Sequence, residues 1–175
     1  MRRALALTLV LPLLAGVAGA VVWSRWADPA LWTVHEGQLQ MGQEAVATEI
    51  GVPLAFAAVG VVGGLLLGFL IGLLSRQVDW PLVFVGLLSA GVATLVAWRL
   101  GIVLGPPDPV TVAGLSEGDT VQARLTLNLP AAFLAWPAAT LAGLMPGVGL
   151  NPRGREPSAR YGGDDAFGEV DQVGR

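Results

Sequence analysis

Few side chains in this sequence could do chemistry, and those that could are scattered. His35 stands beside Glu36, and the two would suit a metal site or a general base if further ligands completed the set. The chain has one histidine and no cysteine. We therefore expect His35 to be an ordinary loop residue. We assign no catalytic residue, no metal site and no cofactor.

Arg99 is the one charged residue well inside an apolar run. A charge within a bilayer is costly, so an intramembrane arginine is by default a candidate functional residue. Arg99 stands about two helical turns before the predicted end of its helix, and arginine can extend its guanidinium to the surface over that distance. We expect Arg99 to snorkel in this way or to form an intramembrane ion pair with Glu49 or Glu44. A role in substrate binding is the alternative.

Four glycines recur at every fourth position, namely Gly60, Gly64, Gly68 and Gly72. This spacing places them on one face of a helix, where they let another backbone approach closely. The face would pack within the chain's own helix bundle or would form the interface of an oligomer. Both interpretations stay open at this point.

The composition indicates a membrane protein. Of the 175 residues 54% are hydrophobic and 13% are charged, and the mean hydropathy is +0.65, whereas an average soluble domain has about 25% charged residues. All ten basic residues are arginine, which together with abundant glycine and alanine suggests a bacterium with a GC-rich genome. No basic stripe exists to bind nucleic acid.

Four apolar runs are long enough to span a hydrocarbon layer of about 30 Å as helices. We predict an all-α membrane protein, a four-transmembrane-helix bundle occupying residues 1–150. The predicted spans are residues 4–23, 50–75, 81–105 and 130–149. The first run also resembles a signal peptide with a cleavage site after Ala20. Its apolar continuation through Trp23 argues against cleavage.

Two outer loops and a tail complete the prediction. The first outer loop is residues 24–48, in which Leu31 to Met41 alternates around His35 as a short β-hairpin would. Residues 106–129 contain two strand-like runs around the turn Ser116–Asp119, so we expect a second extracytoplasmic hairpin there. Residues 151–175 are rich in Gly, Pro and charged residues, which predicts a disordered cytoplasmic tail.

The arginines predict the orientation. With both termini in the cytoplasm, most arginines near helix ends lie inside and only Arg25 and Arg124 lie in the outer loops, in agreement with the positive-inside rule. The inside set is Arg2, Arg3, Arg76, Arg153, Arg155 and Arg160. Tryptophans are expected at the membrane surfaces: Trp23, Trp26, Trp98 and Trp136 at the outer one and Trp80 at the inner one.

Three short motifs resemble those of an actinobacterial family of uncharacterised four-span membrane proteins. They are Ala97-Trp98-Arg99-Leu100-Gly101, Leu104-Gly105-Pro106 and Leu134-Ala135-Trp136-Pro137. The resemblance implies the same four-span topology, with a strand-rich outer segment before the last helix. It implies no activity. Relatives tend to carry an acidic residue directly before glycine ahead of the second helix, whereas this chain reads Glu49-Ile50-Gly51.

These features favour a non-enzymatic multi-pass protein of the bacterial plasma membrane, acting as a scaffold or accessory subunit. Its partners would be the lipid bilayer and another membrane protein, or a second copy of the chain. The alternative is a small transporter or channel subunit that assembles through the glycine face. A third hypothesis is a membrane enzyme that acts on a lipid headgroup or an envelope precursor with Glu36, Glu44, Glu49 and Arg99. No motif supplies the positioned acid, base or nucleophile that this chemistry needs.

Overall fold

The computed structural model of the chain describes residues 9–36, 38–41, 50–75, 80–112 and 114–151. Within these ranges the structure has four α-helices, two short 3-10 helices and three short strands. The α-helices are α1 (Leu11–Trp26), α2 (Gly51–Leu74), α3 (Pro81–Leu104) and α4 (Ala135–Gly149). The strands are β1 (Leu31–His35), β2 (Gln38–Met41) and β3 (Thr120–Gln122), and the 3-10 helices are Pro109–Thr111 and Pro130–Leu134.

Three helical segments are long and apolar enough to cross a membrane: Gly51–Leu74, Pro81–Thr111 and Pro130–Gly149. They coincide with the second, third and fourth predicted spans. The described part of α1 is a shorter apolar helix of 16 residues. Residues 4–8 of the predicted first span lie outside the described residues. The helix also ends three residues later than predicted, at Trp26, so Arg25 falls in its last turn.

The bundle is built from two closely packed helix pairs, α2 with α4 and α1 with α3. Small residues make the second pair possible. A Cβ atom added at Gly16 of α1 would lie 2.8 Å from the carbonyl oxygen of Ala93, and a Cβ at Gly101 of α3 would collide with the ring of Trp23. In lipid no hydrophobic effect drives helices together. Small residues instead let the backbones approach closely, so that van der Waals packing holds the helices together.

One antiparallel sheet of strand order β2-β1-β3 lies at the end of the bundle where α1 and α3 end and α2 begins. We call this the sheet end. The predicted hairpin around His35 is present, with His35 paired to Gln38 and Trp32 paired to Met41. Side chains of β1 alternate, so Val34 is buried while Thr33 and His35 are exposed.

The prediction of a second hairpin was wrong. The segment after α3 contributes one strand, β3, which pairs with β1 rather than with a neighbour in its own loop. The first strand-like run of that loop is a 3-10 turn instead. Asp108 stabilises this turn, because its Oδ1 accepts a hydrogen bond from the Val110 amide and its carbonyl accepts one from the Thr111 hydroxyl. Such local side-chain bonds compete with strand pairing.

At the opposite end of the bundle, Asn151 links the segment after α4 to the C-terminal end of α2. Its side chain is fully buried, and its Nδ2 donates hydrogen bonds to the carbonyl oxygens of Gly72 (3.1 Å) and Ser75 (2.6 Å). These carbonyls belong to the C-terminal end of α2, where helices leave acceptors unsatisfied. Asn151 is therefore part of the fold, although the sequence assigned it to the tail. The rest of the predicted disordered tail, residues 152–175, lies outside the described residues.

Candidate ligand pocket and glycine face

The four glycines singled out in the sequence lie buried against α4. A Cβ atom at Gly64 would lie 2.6 Å from the Trp136 carbonyl oxygen, and one at Gly72 would lie 2.8 Å from the Val148 amide nitrogen. At Gly68 a Cβ would collide with the Thr140 carbonyl. The glycine face is therefore covered by a helix of the same chain.

The contact between α2 and α4 is reciprocal. Gly143 and Gly147 of α4 lie so close to α2 that a Cβ at either position would collide with a backbone carbonyl, of Leu65 and Phe69 respectively. Glycines on both helices thus bring the two backbones together. Regularly spaced glycines on α2 indicated one side of this contact; the glycines of α4 were not recognised in the sequence.

Trp136 is held in a slot formed by glycines of two helices. A Cβ atom at Gly60 would lie 2.5 Å from Trp136 Cδ1, and one at Gly19 of α1 would lie 2.8 Å from Trp136 Cζ2. Trp136 and Trp23 are both fully buried. Both tryptophans were expected at the level of the outer membrane surface, which stays a prediction; the structure shows that their rings face the interior of the bundle. Their rings fill the space that small residues leave between helices.

Arg99 is exposed on α3, and its Cζ lies 4.8 Å from the centre of the neighbouring Trp98 ring. A guanidinium over an indole face is a favourable cation–π arrangement. Glu44 and Glu49, the proposed ion-pair partners, lie outside the described residues. Arg99 lies five residues before the end of α3, and its snorkelling to the membrane surface stays a prediction.

The tip of the first hairpin is connected to the turn before β3. Glu117 Oε1 accepts a hydrogen bond from the Glu36 amide at 2.8 Å and lies 3.2 Å from His35 Nδ1. Both side chains of the His35–Glu117 pair are more than half exposed. No group of three or more His, Cys, Asp or Glu side chains suited to a metal ion occurs among the described residues. The contact fastens two loops to each other.

A cavity of about 570 Å³ opens at the sheet end. We call it the sheet-end pocket. It lies between β1, the extended segment Ala123–Asn128, the last turns of α3 and the 3-10 helix Pro130–Leu134. Its volume is within the range of pockets that bind small ligands, about 300–1,000 Å³.

The walls of the sheet-end pocket are apolar and aromatic, and an aromatic cluster supports them. Phe133 lies 5.5 Å from Trp98 and 5.7 Å from Phe56 between ring centres, and Phe56 lies 5.0 Å from Trp23. Edge-to-face pairs of this kind add stability beyond the area they bury. This aromatic cluster therefore packs three helices together next to the pocket.

Five polar side chains line the same pocket: Trp32, Asp108, Arg124, Thr126 and Asn128. Trp32 Nε1 is buried and has no hydrogen-bond partner among the described residues. Arg124 is exposed, and Asp108 is half-buried with one carboxylate oxygen engaged by the Val110 amide. The arrangement offers an apolar interior, one unsatisfied donor and one charge of each sign.

No sequence pattern predicted this pocket. Alternation in β1 placed Trp32 on the same face as Val34, which is a signal for a bundle-facing side chain. Nothing in the sequence indicated that Arg124 and Trp32 would line one cavity, because that requires β3 to pair with β1.

Comparison with known proteins gives no match: no family model, no curated protein and no solved structure is significantly similar to this chain. We therefore infer its function from its own residues.

Proposed function

We propose that this chain is a non-enzymatic multi-pass protein of the bacterial plasma membrane that acts as a scaffold or accessory subunit. It crosses the membrane four times, keeps its first helix, and has both termini in the cytoplasm. The sheet end then faces the outside. The sheet is the surface on which a second envelope protein docks.

The observation that carries the proposal is the exposed face of the sheet. Cross-strand pairs place Thr33 beside Gln40 and beside Thr120, and place His35 beside Gln38. These side chains are exposed. Apart from the His35–Glu117 contact at its edge, this face consists of hydroxyl and amide groups, and it is suited to a protein partner whose polar groups it can satisfy.

The strand arrangement adds a second means of binding. Among the described strands β2 and β3 are the edges of the sheet. An edge strand has unpaired backbone donors and acceptors, to which an extended segment of a partner can add as a further strand.

The channel hypothesis receives less support. It relied on assembly through the glycine face of α2, and that face is buried against α4 within one chain. Assembly of several copies through this face would require α4 to detach from α2.

Site-specific photo-crosslinking in the native membrane tests the proposal. A photoreactive amino acid replaces Thr33, Gln122 or, as the control, Leu88, which is 73% exposed on α3. We expect one and the same protein to be crosslinked from Thr33 and Gln122 and not from Leu88, and to co-purify in stoichiometric amount with the tagged chain. Absence of any protein crosslink from the sheet would contradict the proposal. A homo-oligomer that conducts ions or solutes in liposomes would support the channel hypothesis instead.

A further inference from the structure

We propose that the sheet-end pocket binds a zwitterionic phospholipid, with one acyl chain in its apolar interior and the headgroup at the polar side chains of its rim. This goes beyond the scaffold role and does not depend on the identity of a protein partner.

The interior of the pocket suits a hydrocarbon chain. Its lining includes Val52 and Leu125, which are buried, and Ile102, Leu127 and Phe133, which are partly buried against the core. None of these side chains has a polar atom. The whole pocket has a volume of about 570 Å³, so its apolar part leaves room for an alkyl chain, whose transfer from water into such an environment is favourable.

The unsatisfied donor is suited to an acceptor on the ligand. Trp32 Nε1 is buried without a partner among the described residues, and leaving a buried N–H unbonded is costly. A phospholipid has ester carbonyls and phosphate oxygens where its acyl chains meet its headgroup. A ligand with its chain in the apolar interior would bring these acceptors to the level of Trp32 and Arg124.

The charges favour a zwitterionic headgroup. Arg124 has a guanidinium suited to phosphate, and Asp108 provides a carboxylate for an ammonium group. Both residues line the pocket. An anionic headgroup would leave Asp108 facing a like charge.

The surroundings of the pocket indicate the bilayer as the source of the ligand. Ile102 and Phe133 are followed directly in the chain by Val103 and Leu134, which are 78% and 67% exposed. An apolar surface of this kind on α3 and beside α4 is in contact with lipid in a membrane-spanning bundle. The pocket thus adjoins the lipid-facing surface, and a phospholipid reaches it without crossing water.

Photolabelling by a lipid tests this inference. The full-length chain is reconstituted in phosphatidylglycerol vesicles containing a small fraction of phosphatidylethanolamine with a photoreactive group in its acyl chain, and the labelled residues are mapped by mass spectrometry. We expect labelling of Ile102, Leu127 or Phe133 in addition to general labelling of lipid-facing residues such as Leu88. Unlabelled phosphatidylethanolamine should compete for the pocket positions, and additional phosphatidylglycerol should not.

Two variants connect the labelling to the pocket. Trp32→Phe keeps an aromatic ring and removes the donor, and Leu127→Trp fills the interior. We expect each to reduce labelling of the pocket about fivefold, the effect of one lost hydrogen bond or more, with labelling of Leu88 unchanged. Trp80→Phe, at an exposed tryptophan before α3, is the matched control and should change neither. Circular dichroism verifies that all variants retain their helix content.

Three results would overturn the inference: labelling confined to lipid-facing positions, equal labelling of the pocket in Trp32→Phe and the unaltered chain, or equal competition by the two phospholipids. Because Trp32→Phe keeps an aromatic ring and adds no bulk to the pocket, it still tests the inference if Leu127→Trp fails to fold.

Discussion

The indole Nε1 of Trp23 in α1 donates a hydrogen bond of 3.1 Å to the carbonyl oxygen of Val52 in the first turn of α2. Trp23 is fully buried, and Val52 is 5% exposed. In the apolar interior a hydrogen bond is stronger than in water, and an unpaired donor costs more. This contact joins the first helix to the second at the sheet end, beneath the pocket.

We expect Trp23→Phe to destabilise the bundle by about 1–3 kcal/mol, because it removes this hydrogen bond and leaves a small cavity beside Gly101. Equilibrium unfolding in mixed micelles of dodecyl maltoside and dodecyl sulphate measures the change. Trp80→Phe is the control, since Trp80 is 74% exposed, and should change stability by less than about 0.5 kcal/mol. Equal effects of the two substitutions would show that Trp23 is not anchored as described.

The packing of α1 also predicts an intact N-terminus. Gly16 and Gly19 lie before Ala20 and contact α3 and Trp136 respectively. Cleavage after Ala20 would remove both contacts and expose the buried Trp136 ring. We therefore expect the mature protein purified from its native membrane to retain residues preceding Ala20. Its intact mass decides this, and a chain that begins at Val21 would contradict the prediction.

Gly68→Ala should destabilise the protein by about 1–3 kcal/mol, because the new methyl group meets the Thr140 carbonyl in the backbone of α4, which cannot move aside as a side chain would. Gly91→Ala is the matched control on α3. A Cβ there has no neighbour within 4 Å, and the higher helix propensity of alanine should leave stability unchanged or raise it by up to about 1 kcal/mol. Unfolding of both variants in mixed micelles makes the comparison. Equal stability of the two would contradict the close α2–α4 contact.

Asn151→Asp should weaken the end of the bundle opposite the sheet. The substitution keeps the shape of the side chain, removes both hydrogen-bond donors and places a carboxylate among the carbonyl oxygens at the C-terminus of α2. We expect a loss of about 1–3 kcal/mol in unfolding free energy. Gln122→Glu, the same amide-to-acid change on an exposed residue of β3, should have little effect. Equal unfolding free energies of the two variants would show that the hydrogen bonds of Asn151 do not stabilise this end of the bundle.

Single cysteines test the proposed orientation, since the chain has none of its own. In intact cells a membrane-impermeant maleimide should label Ser116→Cys in the turn before β3 and should leave Ser158→Cys in the tail unlabelled. After lysis both should react. The reverse pattern would place the sheet end in the cytoplasm and contradict the positive-inside argument.

The amino-acid sequence by itself determined where the long apolar helices lie. An apolar run either has the roughly 20 residues needed to span the hydrocarbon or it does not, and this depends on local composition alone. Hence α2 and α3 begin and end within one residue of their predicted bounds. The glycines at every fourth position of α2 are likewise a local pattern, and they predicted a packing face. The alternation around His35 is another, and it predicted a hairpin.

The tertiary structure alone decided what those elements contact. Inside a membrane all faces of a helix are apolar, so the sequence does not reveal which face meets protein and which meets lipid. Trp136 is buried because Gly19 and Gly60 of two other helices leave room for its ring. Trp32, Asp108 and Arg124 share a pocket because β3 pairs with β1 across about 90 residues of chain. Contacts of such long range depend on the packing of the whole bundle, and no local pattern specifies them.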